Sequence, residues 1–340
     1  MADHDELLPR AEEHLAAMEV VEALALFEQA ERAKCNADQC AGGRWTCHML
    51  NGDFERAWLE SDQITKRGNP DPDRFWNGQP LDGKRVLIRC LHGLGDTIQF
   101  IRYAQELRKK ARAVFIEAQP TLKRLLASSD LADEVITWRE SEPAWDEQVE
   151  VVELPRIFRT ELGSVPNNVP YLKTPQSYSG AASLRVGIVW SSSQYNPARS
   201  IPAEIFARLF DIRGINFFSL QAGPERYDLK PWNGLVPSLY NEESDCLETA
   251  AKLQTLDLVI TVDTMMAHLA GALGRPVWTI LPHRCDWRWM LKRSDSPWYP
   301  TMRLIRQQQA GGWVPVIESV KEDLRRYAEI QALSLNRRSG

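Results

Sequence analysis

Two short stretches hold the residue types that could carry out a group transfer. In RCLHGLGDTIQF, Asp96 follows a glycine-rich turn, and if it faces a cleft its carboxylate can accept a proton from an incoming hydroxyl. With Gln99 three residues on, Asp96 equally fits a capping box, a purely structural role. In LDLVITVDTMMAHLAGALGRPVWTIL, Asp263 ends an apolar run and a helix of small residues follows. The open N–H groups of Thr264, Met265 and Met266, together with the helix dipole, favour a phosphate there. A plain N-cap is the competing role for Asp263.

Gly93-Leu94-Gly95 also invites a dinucleotide-binding reading, helped by Glu117 at the end of the next strand. Ile98 stands at the third glycine position, however, and Asp96 would repel a pyrophosphate in a poorly solvated turn. That reading ranks low.

The elements around these stretches follow from pattern. Leu256, Leu258, Val259, Ile260 and Val262 form a nearly continuous apolar run, which predicts a parallel strand covered on both faces. Gly274 can end the following helix ahead of Pro276. Strands are predicted over 86–90, 113–118, 134–137 and 149–152, with helices over 97–110 and 122–127. A second set has strands over 184–190 and 216–220, a helix over 203–210, and a last helix over 315–327 before a polar, frayed tail from 333. This alternation predicts an α/β fold with two Rossmann-like parallel sheets.

Residues 9–67 read as helical. MEVVEALALFEQAERAKCN falls on GDFERAWLESDQITKRGNP at a spacing of 34, with Ala23 over Ala57 and Leu24 over Trp58. That is the period of the tetratricopeptide repeat, whose units bury their faces only by stacking. Fewer than two good repeats cannot stand alone, so the segment should dock on the next domain or on another subunit. It serves either as a partner or acceptor surface or as a cap on the body.

At 340 residues with a net charge of −5 and pI near 5.8, the chain has room for two domains and an appendage and has no basic field for nucleic acid. No apolar run reaches the roughly 18 to 20 residues of a membrane span, and the acidic start is unlike a signal peptide. The expected location is cytoplasmic, with the six cysteines as thiols. Cys35, Cys40, Cys47 and His48 lack the spacing of a structural zinc site. Asp71-Pro-Asp73 resembles a D-x-D metal motif but falls in a Pro- and Gly-rich linker after no strand.

From residue 75 to about 307 the chain resembles glycosyltransferase family 9, the heptosyltransferase-like family, in the form joined to tetratricopeptide repeats. The resemblance is carried by FWNGQPLDGKRVLI, HGLGDTIQFIRY, VGIVWSSS with RSIP, LDLVITVDTMMAHLAGALGRPVW and DWRWMLKRSDSPWYP. It implies a GT-B architecture, two Rossmann-like domains facing a cleft behind a small all-α repeat segment. The expected divisions are a helical segment at 1–68, a linker at 69–83, an acceptor domain at 84–178, a nucleotide-sugar domain at 179–331 and a tail at 332–340.

The resemblance also implies roles. Asp96 matches the base of an inverting, metal-independent displacement. Ser191 and Ser192 would contact the diphosphate, and Arg199 would neutralise it as it leaves; a polar turn and a surface arginine are the plain alternatives. Asp263 would accept hydrogen bonds from sugar hydroxyls while the Thr264 and Met265 N–H groups hold phosphate. His268 would donate to the donor or else be a core histidine. Gly95, Gln221 and Trp287 are expected at the cleft or against the base. The donor is then a nucleoside-diphosphate sugar with no cofactor or metal, and the acceptor a saccharide or protein. Met265 stands where heptosyltransferases proper carry glycine, which leaves the donor open. The alternative is a non-catalytic interaction or ligand-sensing protein.

Overall fold

The structure, a computed structural model, describes residues 6–68, 75–175, 183–192 and 196–338, with backbone alone from 334. Asp71-Pro-Asp73 lies outside the described residues. Four helices come first: α1 (Leu7–Ala16), α2 (Val20–Arg32), α3 (Ala37–Asn51) and α4 (Phe54–Arg67). The Asn36 and Asp53 side chains cap α3 and α4, and Gly52 at φ +78° ends α3 in the left-handed region that glycine tolerates. Arg44, 5% exposed, donates to Glu60 through Nε and Nη2, both at 2.7 Å, and lies 3.0 Å from Glu31. That buried pair ties α3 to α4.

The first sheet is parallel and ordered β3-β2-β1-β4, from β1 (Arg85–Arg89), β2 (Ala113–Ala118), β3 (Glu134–Thr137) and β4 (Glu147–Glu150). Its helical connections are α5 (Leu94–Phe100), α6 (Ala104–Arg108), α7 (Lys123–Ala127) and α8 (Leu154–Ile157). The single helix expected over 97–110 is two pieces, starting earlier at Leu94 and interrupted by a 3₁₀ turn at Ile101–Tyr103. Buried Arg102 occupies that turn and donates to the carbonyls of Gln99 (2.6 Å) and Trp298 (2.5 Å) and to the Tyr171 hydroxyl (2.9 Å). The strand expected over 149–152 sits two residues earlier, because Val151 already begins the 3₁₀ turn leading into α8.

The second sheet, also parallel, is ordered β6-β5-β7-β8-β9, from β5 (Leu184–Val189), β6 (Ile215–Ser219), β7 (Leu258–Val262), β8 (Val277–Leu281) and β9 (Met302–Arg306). Around it lie α9 (Ala203–Phe206), α10 (Cys246–Gln254), α11 (Met265–Ala272) and α12 (Trp313–Arg338). Sequence reading missed β9 and α10, ran α9 to 210 where a 3₁₀ turn takes over at Ala207–Leu209, and stopped α12 short. Residues 333–338 belong to that helix.

Alternation along β7 explains its unbroken apolar run. Leu258, Ile260 and Val262 pack with Ile317, Val320 and Leu324 of α12 on one face, while Val259 joins Ala250, Leu253, Ala267 and Ala270 on the other. This second cluster continues into the first lobe and the helical segment, through Ile88, Phe100, Phe54 and Trp58. One core therefore runs through all three parts. The helical segment docks on both lobes of its own chain: Phe54 stacks on Trp298 at 5.9 Å, the Trp58 indole donates to the Thr160 carbonyl at 2.7 Å, and the Leu291 N–H donates to the Leu50 carbonyl at 3.0 Å. No helix of the described residues is long and apolar enough to cross a membrane.

Candidate functional site

β1 and β7 each end in a tight turn that opens a helix, and these two turns meet. After β1, Gly93 holds an extended conformation as N-cap of α5, and Asp96 is the third helical residue. Its Oδ2 accepts the Gly93 N–H at 3.0 Å. Asp96 thus caps its own turn, in the position that Gln99 was expected to fill. Gly95 faces the other lobe, where an added Cβ would lie 3.0 Å from Cδ2 of His268. A hydrogen there lets α5 and α11 cross at short range.

At the start of α11 the N-cap is Thr264, not Asp263; its hydroxyl accepts the Met266 N–H at 3.3 Å. Of the three N–H groups expected to be open, Met266 is therefore engaged within the turn. Asp263 is 4% exposed, with Arg199 Nε 3.3 Å from its Oδ2. Burial pushes this carboxyl up to about 6 against the attraction of Arg199, and the Asp286 carboxylate adds to the rise.

Asp286 and Arg288 complete the junction, and sequence reading missed both. They lie on the loop after β8, where Asp286 caps the 3₁₀ turn Trp287–Trp289. Arg199 is 3.6 Å from Asp286, and Arg288 Nη1 donates to Asp286 at 3.0 Å. Arg288 then crosses to the first lobe, with Nε donating to Gln99 Oε1 at 2.8 Å and Nη2 donating to Asp96 Oδ1. Charges alternate along Asp96, Arg288, Asp286, Arg199 and Asp263. The available signal was the DWRW run, which places an acid and a base just after a buried strand.

The remaining expected residues divide between the junction and its supports. His268 is buried, with Nδ1 2.9 Å from the Tyr299 hydroxyl and its ring stacked on Trp289 at 5.2 Å. Burial, reinforced by Arg288, drives its pKa well below 6.5, so it is a neutral core imidazole. Ser191 and Ser192 hold their own loop: Ser191 Oγ is 3.0 Å from Ser200 Oγ, the Ser192 N–H donates to the same oxygen at 3.0 Å, and Ser192 Oγ donates to the Asn196 carbonyl at 2.8 Å. Gln221 is a clamp, its Oε1 accepting the N–H groups of Trp190 (3.1 Å) and Ser191 (3.0 Å) and its Nε2 donating to the Ser191 and Ala222 carbonyls. Trp287 packs on Phe100 at 6.3 Å and on the Arg288 guanidinium at 4.7 Å, so it is a joint between lobes. An open cavity of about 500 Å³ lies past the end of β6, lined by Arg226, Tyr227, Lys230, Tyr240 and Glu242 among others.

Two parallel sheets joined turn to turn in this way form the GT-B fold of the family 9 glycosyltransferases. A family 9 glycosyltransferase from Veillonella parvula superposes with a TM-score of 0.53 at 14% identity, covering 68% of this chain and 88% of that one. The E. coli heptosyltransferase WaaC, solved with ADP-2-deoxy-2-fluoro heptose, gives 0.53 at 14% identity over 72% of this chain and all of that one. E. coli ADP-heptose heptosyltransferase II gives 0.50 at 14% over 75% and 99%. In sequence the chain is 25% identical to Protein FlbA of Caulobacter vibrioides across 91% of its own residues, and it spans 59% of that relative's length. No protein-family model matches the chain.

Proposed function

We propose that this chain is an inverting glycosyltransferase that moves a sugar from a nucleoside diphosphate to an acceptor hydroxyl, without a metal and with Asp96 as base. The observation that carries this reading is the meeting of Asp96 with the Asp263 turn through Arg288, Asp286 and Arg199. The hydroxyl oxygen attacks the anomeric carbon, its proton passes to Asp96, and the bond to the diphosphate breaks with its electron pair leaving on phosphate. Arg199 and the first N–H groups of α11, from Thr264 and Met265, stabilise that charge, while Ser191 and Ser192 shape the loop beneath it. Residues 84–178 then form the acceptor lobe and 179–331 the donor lobe, with the nucleoside toward the cavity past β6. The enzyme works in the cytoplasm on a saccharide or protein acceptor.

A second reading, a ligand-sensing or interaction protein, draws on the exposed Val21 and Leu59 of the helical segment, 72% and 55% exposed, as a partner surface. Turnover separates the two. With ADP-, UDP- and GDP-sugars, the native protein is expected to release nucleotide and Asp96→Ala to lose that release. Unchanged release in Asp96→Ala removes the catalytic assignment, and binding without any turnover favours the second reading.

A further inference from the structure

Arg288 belongs to the second lobe by sequence, and its contacts are divided between the two lobes. Its guanidinium serves three acceptors at once: Asp286 Oδ1 at 3.0 Å, Gln99 Oε1 at 2.8 Å and Asp96 Oδ1. The rings of Phe100 and Trp287 lie 5.4 and 4.7 Å from its Cζ and suit a cation whichever anion it pairs with. Asp96 has its other oxygen on the Gly93 N–H. The oxygen that faces the second lobe is held by Arg288, and because the Asp96 side chain keeps 27% of its surface exposed, an acceptor hydroxyl reaching that oxygen competes with the guanidinium for it. Three carboxylates share two guanidiniums here, leaving one excess negative charge when all are ionised. A diphosphate entering beside Arg199 needs further positive charge, and Arg288 is the adjacent source.

We propose that Arg288 is a positioning residue shared between Asp96 and the donor: it pairs with Asp96 in this arrangement and turns to the diphosphate when donor binds, which frees that oxygen of the base. The inference rests on the transferase reading. Its consequence is order, since the acceptor hydroxyl loses its competitor at that oxygen once a nucleoside diphosphate is seated.

The test is calorimetric titration of ADP, with UDP and GDP alongside, into the full chain and four variants: Asp96→Asn, Arg288→Gln, Arg288→Lys and the double variant Asp96→Asn with Arg288→Gln. Charge-assisted hydrogen bonds set the scale, so Arg288→Gln should weaken the nucleotide that binds about tenfold. Asp96→Asn should tighten it about tenfold, because Arg288 is released from its competitor. In the Arg288→Gln background the Asp96→Asn change should have no effect, whereas simple charge repulsion would persist there. Arg288→Lys keeps a cation and should fall between native and Arg288→Gln. Native binding with Asp96→Asn unchanged or weaker, or with equal effects in both backgrounds, overturns the exchange. No binding of any nucleotide by the native protein overturns the transferase reading itself.

Discussion

Trp45 of the helical segment meets Trp287 of the second lobe edge to face, with ring centroids 5.3 Å apart and planes at 73°. Trp287 in turn stacks on Phe100 of the first lobe at 9° between planes. Three parts of the chain thus share one aromatic joint. Trp45→Ala should lower stability by about 1 to 3 kcal/mol, from lost area and the edge contact together. Urea unfolding followed by tryptophan fluorescence measures it, and an unchanged midpoint would mean the joint carries no weight.

Glu60 is the buried partner of Arg44, which leaves the arginine with Glu31 alone if it is removed. A buried guanidinium left with one of its two carboxylates is only partly compensated, so Glu60→Ala should destabilise by about 2 to 4 kcal/mol. Glu60→Gln, which retains an acceptor, should cost less. Chemical denaturation of the two variants side by side gives the ranking.

Asp263 carries a pH signature. Its folded pKa, near 6, stands above the unfolded value of 3.8, so between these pH values the folded state holds a proton that the unfolded state has lost. The unfolded state binds fewer protons there, and stability from this group falls as pH rises from about 4 to about 6. Asp263→Asn removes that slope. Relative to the native protein it should melt higher at pH 8 and gain little or nothing at pH 4, as read by thermal unfolding across that range.

Gly95 sits where the two lobes cross. His268 cannot retreat easily, being held by Tyr299 and Trp289, so Gly95→Val should force α5 and α11 apart and cost about 1 to 3 kcal/mol. The same variant should lower nucleotide release, because Asp96 rides on α5. A melting temperature equal to native would show that the crossing has slack.

Legibility in the sequence followed burial. β7 was readable because a parallel strand covered on both faces writes an apolar run; β3, an edge strand with Glu134 exposed, was nonetheless placed to the residue at 134–137. α10 and β9 escaped: the apolar positions of α10 are interspersed with Glu248, Thr249 and Lys252, and β9 carries Arg303 and Arg306. The two turns with Asp96 and Asp263 could be found by their position at strand ends. What each side chain does there could not, because Arg288 reaches Asp96 from 192 residues away, and nothing local in DWRW says across which gap it points. Gln221 and Trp287 were expected at the cleft or against the base from the family resemblance. Here the surrounding loops and lobes use the same groups for themselves.

The helical segment is made before either lobe, yet Trp45 and Phe54 find their cover on Trp287 and Trp298, late in the second lobe. During synthesis those aromatic faces wait, wet, until the second lobe has been made. The first four helices can pair with one another early, but their final seating is a late event that reports completion of the second lobe.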